Sequence, residues 1–358
     1  MAKGIIDKSI YKSKGITHKD IYEAFVKTGT TRGVIKLLGV SRSSAFRKRV
    51  TQVISEHAAI PPAFEPVEMP PVVRPVDELI ASAITHRERL QANMRTKHNA
   101  VLPLHNGGKP FGVALIPDQH MDNPGSNLKL IFSHAELIAK TDGLYAVELG
   151  DSIDNFIIGK LEAARRSHII SIPEAWSLSE SYHRIFAHKL LAAISGNHTE
   201  WTNKLGGADY LAAVLHKAGV KALYDADELY FSIRADNKQT WKYGVRHFFQ
   251  GGSLWNAAHS VSRYAMSHAY RNEDVIVAGH RHVAGYQIVE SHGNIVSCIQ
   301  VGSYKDRDLD DYCRTKGFLS QHAFLLPVMI HFPETRKSVF FPEIEVAVPY
   351  LKYLRGKK

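Results

Sequence analysis

The chain has 358 residues, 44% of them hydrophobic, with 45 Lys and Arg against 35 Asp and Glu. That is enough for one catalytic domain of ordinary size plus a smaller module, and it excludes disorder throughout. Cys298 and Cys313 stand far apart and outside any CxxC pair, so neither a disulfide framework nor a zinc finger is read from them.

No stretch approaches the ~20 apolar residues of a membrane span, and Met1-Ala2-Lys3-Gly4 opens no apolar signal region. A cytoplasmic protein with no membrane partner is expected. The net charge of +10 is unevenly spread: residues 1–50 hold twelve Lys or Arg against Asp7, Asp20 and Glu23, leaving 33 bases and 32 acids for everything after. Concentrated positive charge is the footprint of phosphate-backbone binding, whereas a balanced remainder suits an ordinary enzyme.

From His18 to Val53 the apolar positions fall at helical spacing: Ile21, Ala24 and Phe25, then Val34, Ile35, Leu37 and Leu38, then Ala45, Phe46, Val50 and Val53. Between the second and third groups, Leu38-Gly39-Val40-Ser41 offers a left-handed C-cap glycine, an apolar plug and a serine able to cap the next helix. This is a helix-turn-helix signature. Burying Ala45, Phe46 and Val50 would turn Arg42, Ser43, Ser44, Arg47 and Lys48 outward as a basic face for a major groove. Val34-Ile35-Lys36-Leu37-Leu38-Gly39-Val40-Ser41-Arg42 resembles the Fis-type helix-turn-helix of bacterial enhancer-binding activators, which implies DNA as a partner. A three-helix module that docks protein is the alternative. A homodimer would suit such a module, although no long heptad pattern enforces one.

Pro61, Pro62, Pro66, Pro70, Pro71 and Pro75, interrupted by Glu65 and Glu68, predict an extended, semi-rigid connection. A helix is expected from Val76 to about Lys97. These features divide the chain into a DNA-binding domain over 1–57, a linker and connecting helix over 58–110, a catalytic domain over 111–345 and a basic tail over 346–358 that would fray.

Five separated pieces of the second half carry metal-ligand residue types where an apolar strand runs into a loop. After Gly112–Ile116 comes Asp118-Gln119-His120, whose i, i+2 spacing puts carboxylate and imidazole on one side of an extended segment. A helix over Leu128–Lys140 precedes the strand Leu144–Leu149, which ends in Gly150-Asp151-Ser152-Ile153-Asp154-Asn155. A helical region from Pro173 to Leu191 leads to Gly196-Asn197-His198. A strand from Trp241 to Phe249 contains His247, with His259 as the competing candidate, and Val275–Ala278 delivers Gly279-His280-Arg281-His282.

Singly, such triplets are poor evidence; the ordered series DxH, GDxxDN, GNH, His, GHxH is strong evidence. It resembles the calcineurin-like metallophosphoesterase family over roughly residues 111–303. The resemblance implies that Asp118, His120 and His282 hold one metal, that Asn197, His247 and His280 hold a second, and that Asp151 bridges them. His198 would donate a proton to the leaving oxygen or stabilise the transition state. Two divalent ions about 3.5–4 Å apart clamp attacking and leaving oxygens and generate hydroxide from the water between them. Mixed O and N ligands without thiolate favour Mn²⁺, with Fe, Zn²⁺ or Mg²⁺ as alternatives.

Two positions depart from the family pattern. Thr199 stands where many relatives carry an acid, so Glu200 or a peptide carbonyl must orient His198. Asn155 stands where phosphoprotein phosphatases carry arginine, and an amide supplies no charge to a phosphate, which points toward phosphodiester chemistry. Asp154 is a buried acceptor or a helix N-cap. Asn155 and Arg281 are candidate phosphate contacts. The run Arg246–Asn256 and Gly302-Ser303-Tyr304-Lys305 resemble phosphoesterases of bacteriophages and prophages.

Strand-rich sequence over Gly285–Glu290, Ile295–Val301 and Ala323–Phe332 completes the expectation of a mixed α/β fold, a two-sheet sandwich flanked by helices plus a small all-α domain. The expected function is a dinuclear-metal nuclease acting on DNA. The alternatives are a phosphomonoesterase or small-molecule phosphodiesterase localised by its basic module, and a DNA-binding regulator with an inert esterase fold.

Overall fold

The computed structural model describes residues 15–57, 74–157, 159, 161–253, 255–267, 272–291, 293–316 and 325–356. The prolines from Pro61 to Pro71, Glu65, Glu68, Leu254, residues 323 and 324, and Lys357 and Lys358 lie outside them. The chain divides between Ile80 and Ala81 into two compact units.

Among the described residues, the first unit contains the helices α1 (His18–Thr28), α2 (Thr31–Leu37) and α3 (Ser44–His57). Thr17 and Asp20 form a reciprocal capping box at the start of α1, and Gly29 closes it in the left-handed region at φ 66°. Ile21, Ala24, Val34, Ile35, Phe46, Val50 and Val53 form the core, with Val40 plugging the turn after Gly39 as the sequence predicts. Two details differ. Ser43, not Ser41, caps α3, its Oγ accepting from the Phe46 N–H at 3.2 Å. Ala45 is exposed, because positions 46, 50 and 53 set the buried stripe. Helix α4 (Val76–Asn99) follows. No helix among the described residues is long and apolar enough to cross a membrane.

The second unit is built on two six-stranded sheets. One has the order β12-β11-β2-β3-β4-β5, from β2 (Phe111–Ile116), β3 (Leu144–Glu148), β4 (Leu190–Ile194), β5 (Leu223–Asp225), β11 (Val328–Phe332) and β12 (Lys337–Phe341). The other has the order β1-β6-β7-β8-β10-β9, from β1 (Ala100–Leu104), β6 (Glu228–Ala235), β7 (Thr240–Arg246), β8 (Val275–Ala278), β9 (Gly285–Ser291) and β10 (Asn294–Gln300). Strands β2 to β5 run parallel, as do β7, β8 and β10. Every residue of β2 is buried, because Val113 and Leu115 face the other sheet while Ala114 and Ile116 face helices. Against the helix side pack α5 (Leu128–Lys140), α6 (Ile172–Phe186), α8 (Tyr210–Lys217) and α10 (Ile344–Leu354), and between α6 and α8 in sequence lies α7 (Asn197–Gly206). On the other sheet, Val261 and Ala265 of α9 (His259–Ser267) pack against Ile276, Val289 and Cys298.

The mixed α/β class and two-sheet architecture are as expected, and three boundaries are not. Residues 100–104, assigned to the linker, form β1 and pair in parallel with β6. The helical stretch expected to reach Leu191 ends at Phe186, and its last residues enter the sheet as β4, where short apolar runs suit strand as well as helix. The supposed basic tail is mostly α10; Arg355, just after it, is buried, donating to Asp142 Oδ2 at 2.9 Å and to the Pro110 carbonyl at 2.7 Å.

His331 on β11 sits fully buried between the sheets. A neutral ring satisfies both neighbours: the Tyr243 hydroxyl donates to Nε2 at 2.6 Å, and Nδ1–H donates to Ser338 Oγ at 2.7 Å. Burial pushes its pKa down to about 3. A folded pKa below the unfolded value makes its contribution complete above pH ~6.5 and lost as pH falls toward 3, at up to about 1.4 kcal/mol per pH unit. His331→Gln, which keeps an acceptor for Tyr243, should flatten the pH dependence of the urea midpoint across that window by one proton.

Candidate metal centre

Parallel neighbours end at the same edge of a sheet, so residues just past their C-terminal ends converge. Asp118 and His120 follow β2, Asp151 follows β3, Asn197 follows β4, His247 follows β7, and His280 and His282 follow β8. The two sheets join here, since Asp118 makes a parallel bridge to Ser303, whose Oγ donates to the Asp118 carbonyl at 2.8 Å.

Two adjoining clusters result. Asp118, His120 and His282 form one, with His120 Nε2 and His282 Nε2 2.9 Å apart and His282 Nε2 3.2 Å from Asp118 Oδ2. Asp151, His247 and His280 form the other, with His247 Nε2 3.0 Å from Asp151 Oδ2 and 3.2 Å from His280 Nδ1. Asn197 Oδ1 completes it, 2.9 Å from His247 Nε2 and 2.8 Å from His280 Nδ1. All seven predicted ligand residues are therefore brought together. His259 instead begins α9.

Backbone shape holds this arrangement. His120, Asp151, Asn155, His280 and His282 all take left-handed φ between 47° and 71°. Such conformations are strained for non-glycine residues and gather where a site over-determines them. Gly196 and Gly279 allow close approach: a Cβ would come within 2.3 Å of Asp151 Oδ1 at the first and 2.4 Å of Asp118 Oδ1 at the second.

The donor set fits divalent cations. Asp118 is fully buried, and among the described residues its Oδ1 has no hydrogen-bond partner. Several of the inward-facing N and O atoms lie 2.8 to 3.2 Å apart, and the ligand atoms of each cluster fall within 4.8 Å of one another, close enough to share one cation. His247 Nδ1–H donates to the Leu149 carbonyl at 2.6 Å, which turns Nε2 inward as the atom a cation would take once its proton leaves. Burial holds His280 and His282 below the usual imidazole range, His282 at about 4, which favours the neutral form that a cation needs. Burial opposes charge on His247 as well, but the Asp151 carboxylate outweighs it and pushes the ring up to about 9. Conversely, burial would raise Asp151, yet His198 and His247 hold it well below the carboxylate range.

His198, the second residue of α7, donates from Nδ1 to the Asp154 carbonyl at 2.5 Å, leaving Nε2 3.7 Å from Asp151 Oδ2. The peptide carbonyl thus orients this ring. Glu200 is turned away, paired with Lys204 at 2.7 Å. Asp154 is a buried acceptor: its Oδ1 lies 2.6 Å from His120 Nδ1, an ion-pair contact rather than an aligned hydrogen bond. Asn155 is placed differently from expectation. It is fully buried, with its amide NH₂ donating to the His198 carbonyl at 2.7 Å and to Thr202 Oγ1 at 2.8 Å, so it fixes the start of α7 rather than lining the cavity. Arg281 does line it.

A buried charged layer lies beneath the centre that the sequence reading missed. Lys305 Nζ is 3.4 Å from Asp154 Oδ1 and also pairs with Asp310, while Asn123 Nδ2 donates to both Asp154 and Asp310. His168 Nε2 lies 3.2 Å from Asp154 Oδ2, and its pKa is about 9, because Asp122 and Asp154 overcome burial. Asp122 and Asn123 stand two and three residues after His120, which is a usable signal; His168 and Asp310 stand in no motif.

Compared with known families and curated proteins, the chain matches none. Among solved structures it is similar to a calcineurin-like phosphoesterase from Bacillus subtilis, with 12% identity, a TM-score of 0.32, and coverage of 69% of this chain and 99% of that one. It is also similar to a putative diadenosine tetraphosphatase, with 14% identity, a TM-score of 0.29, and coverage of 68% and 97%. At such values neither likeness bears on the reading below, which rests on the site itself.

Proposed function

We propose that the second unit is a dinuclear-metal phosphoesterase that cleaves DNA phosphodiester bonds, and that the first unit raises the local DNA concentration. The observation that carries the hydrolase reading is the meeting of Asp118, His120, Asp151, Asn197, His247, His280 and His282 in two contiguous clusters beside His198. When bound, two divalent cations, Mn²⁺ first among them, would supply Lewis acidity and the means to activate a hydrolytic water. The chain's own residues do the rest. Asp151 lies beside His247, His280 and His198 and would help hold the cation of the second cluster. With Nδ1–H fixed on a carbonyl, His198 turns Nε2 toward the site, where, once protonated there as imidazolium, it can hand that proton to the leaving oxygen. Arg281 offers positive charge to a phosphate from the cavity wall.

The DNA assignment is supported by the exposed face of α3, where Ser44, Arg47 and Lys48 are solvent-facing, and by Arg42, exposed just before it. Ser43 is half-buried, and its hydroxyl is occupied as the cap. Linking such a module to a metal centre converts encounter with DNA into an intramolecular event.

Rates on p-nitrophenyl phosphate, bis-p-nitrophenyl phosphate and plasmid DNA in Mn²⁺ test the proposal, with the diester and DNA preferred. Preference for the monoester with DNA untouched would replace it by a phosphomonoesterase, and inertness toward all three by a DNA-binding regulator. Arg47→Ala with Lys48→Ala should weaken DNA binding and reduce the slope of log K against log salt by about 0.9 per lost phosphate contact, as read by fluorescence anisotropy.

A further inference from the structure

The metal-ligand edge opens into a cavity of about 450 Å³, within the ~300–1,000 Å³ of small-ligand sites. One wall is the polar centre already described. The rest of its lining is largely aromatic and apolar, from Phe156, Leu161, Trp201, Val283 and Tyr312, with Arg281 and Arg307 adding positive charge. The rings form a connected group: Trp201 lies 4.4 Å from the His198 ring, and Phe156 lies 6.2 Å from Trp201 and 6.5 Å from Tyr312. Trp201 and Tyr312 are partly exposed, whereas Phe156 is buried behind them. Arg307 donates to the Arg281 and His282 carbonyls at 3.0 and 2.8 Å, tying this wall to the metal-ligand loop.

A phosphate needs none of these rings. A phosphate ester carrying a flat heterocycle uses them, because every base has a π-face that stacks on an aromatic side chain regardless of sequence. In a duplex both faces of each base are covered by its neighbours, so only an unpaired or extruded base can reach such a wall.

We propose that the site takes an unpaired nucleotide, stacking its base on Trp201 and Tyr312 while its phosphodiester meets the two ligand clusters. This inference rests on the phosphodiester reading and adds that single-stranded DNA or frayed ends are cleaved in preference to intact duplex.

The test compares two diesters with the same leaving group, thymidine 5′-phosphate p-nitrophenyl ester and methyl p-nitrophenyl phosphate, for the wild type, Trp201→Ala and Trp201→Phe in Mn²⁺. The wild type should favour the thymidine ester about tenfold or more in kcat/KM, mostly through KM, given the cost of removing one stacking ring. That ratio should collapse toward one in Trp201→Ala and largely return in Trp201→Phe, whose ring can still stack. Thymidine oligonucleotide should quench tryptophan emission of the metal-free protein, and Trp201→Phe should lose most of that quenching. Single strands should be digested about tenfold faster than the blunt duplex of the same sequence.

Equal rates for both esters in the wild type, or a ratio that survives Trp201→Ala, would overturn the inference while leaving the diesterase standing. Hydrolysis of neither ester would sink the diesterase reading, and this inference with it.

Discussion

Asp151→Ala is expected to bring turnover to background and to lower the number of Mn²⁺ ions bound per chain at the same time. Asp151 is the carboxylate of the second cluster, and its Oδ2 is 3.0 Å from His247 and 3.7 Å from His198. Its Oδ1 also accepts from the His198 backbone N–H at 3.1 Å, which anchors the start of α7. Removing it costs a buried anion and a backbone tether together. The loss in kcat should exceed the ~10²–10⁴-fold given by removal of one acid–base group, because positioning and electrostatic stabilisation fail with it. Metal analysis after gel filtration, beside kcat on bis-p-nitrophenyl phosphate, checks both halves. Full metal content with wild-type turnover would remove Asp151 from the centre.

His198→Gln should behave differently, keeping both metals and slowing turnover ~10²–10⁴-fold on DNA. The ring donates to the Asp154 carbonyl and, although it lies near His120 and Asp151, is not one of the seven predicted ligands, so its replacement should leave those seven in place. The penalty should be much smaller on a p-nitrophenyl ester, whose leaving group departs readily as an anion and needs no proton. A uniform loss on both substrates would assign His198 to charge stabilisation rather than to proton delivery.

The candidate centre was legible in the sequence because its ligands follow apolar strands in short motifs, so strand ends and ligand types could be read together. Gly150, Gly196 and Gly279 marked the tight exits. What lay beyond was set by tertiary contact. Leu190 to Ile194 is apolar enough for helix or strand, and only pairing with β3 and β5 decides it. Asn155 reads as a phosphate donor until the folded chain places its amide against the His198 carbonyl. His168 and Asp310 act through Asp154, from which they are 14 and 156 residues away in sequence, a link that no local pattern encodes. Trp201 sits three residues after His198, one helical turn along, and helical spacing from that residue would have suggested it.

The provenance of the ligands has a mechanical corollary. Asp118, His120, Asp151 and Asn197 come from strands of one sheet, whereas His247, His280 and His282 come from the other. Cations seated among them would act as rivets through the sandwich, and ligation of the folded form alone stabilises it by about 2.7 kcal/mol at a hundredfold excess over Kd. Chelation should therefore lower the melting temperature and make the rim where the sheets meet the first place to loosen.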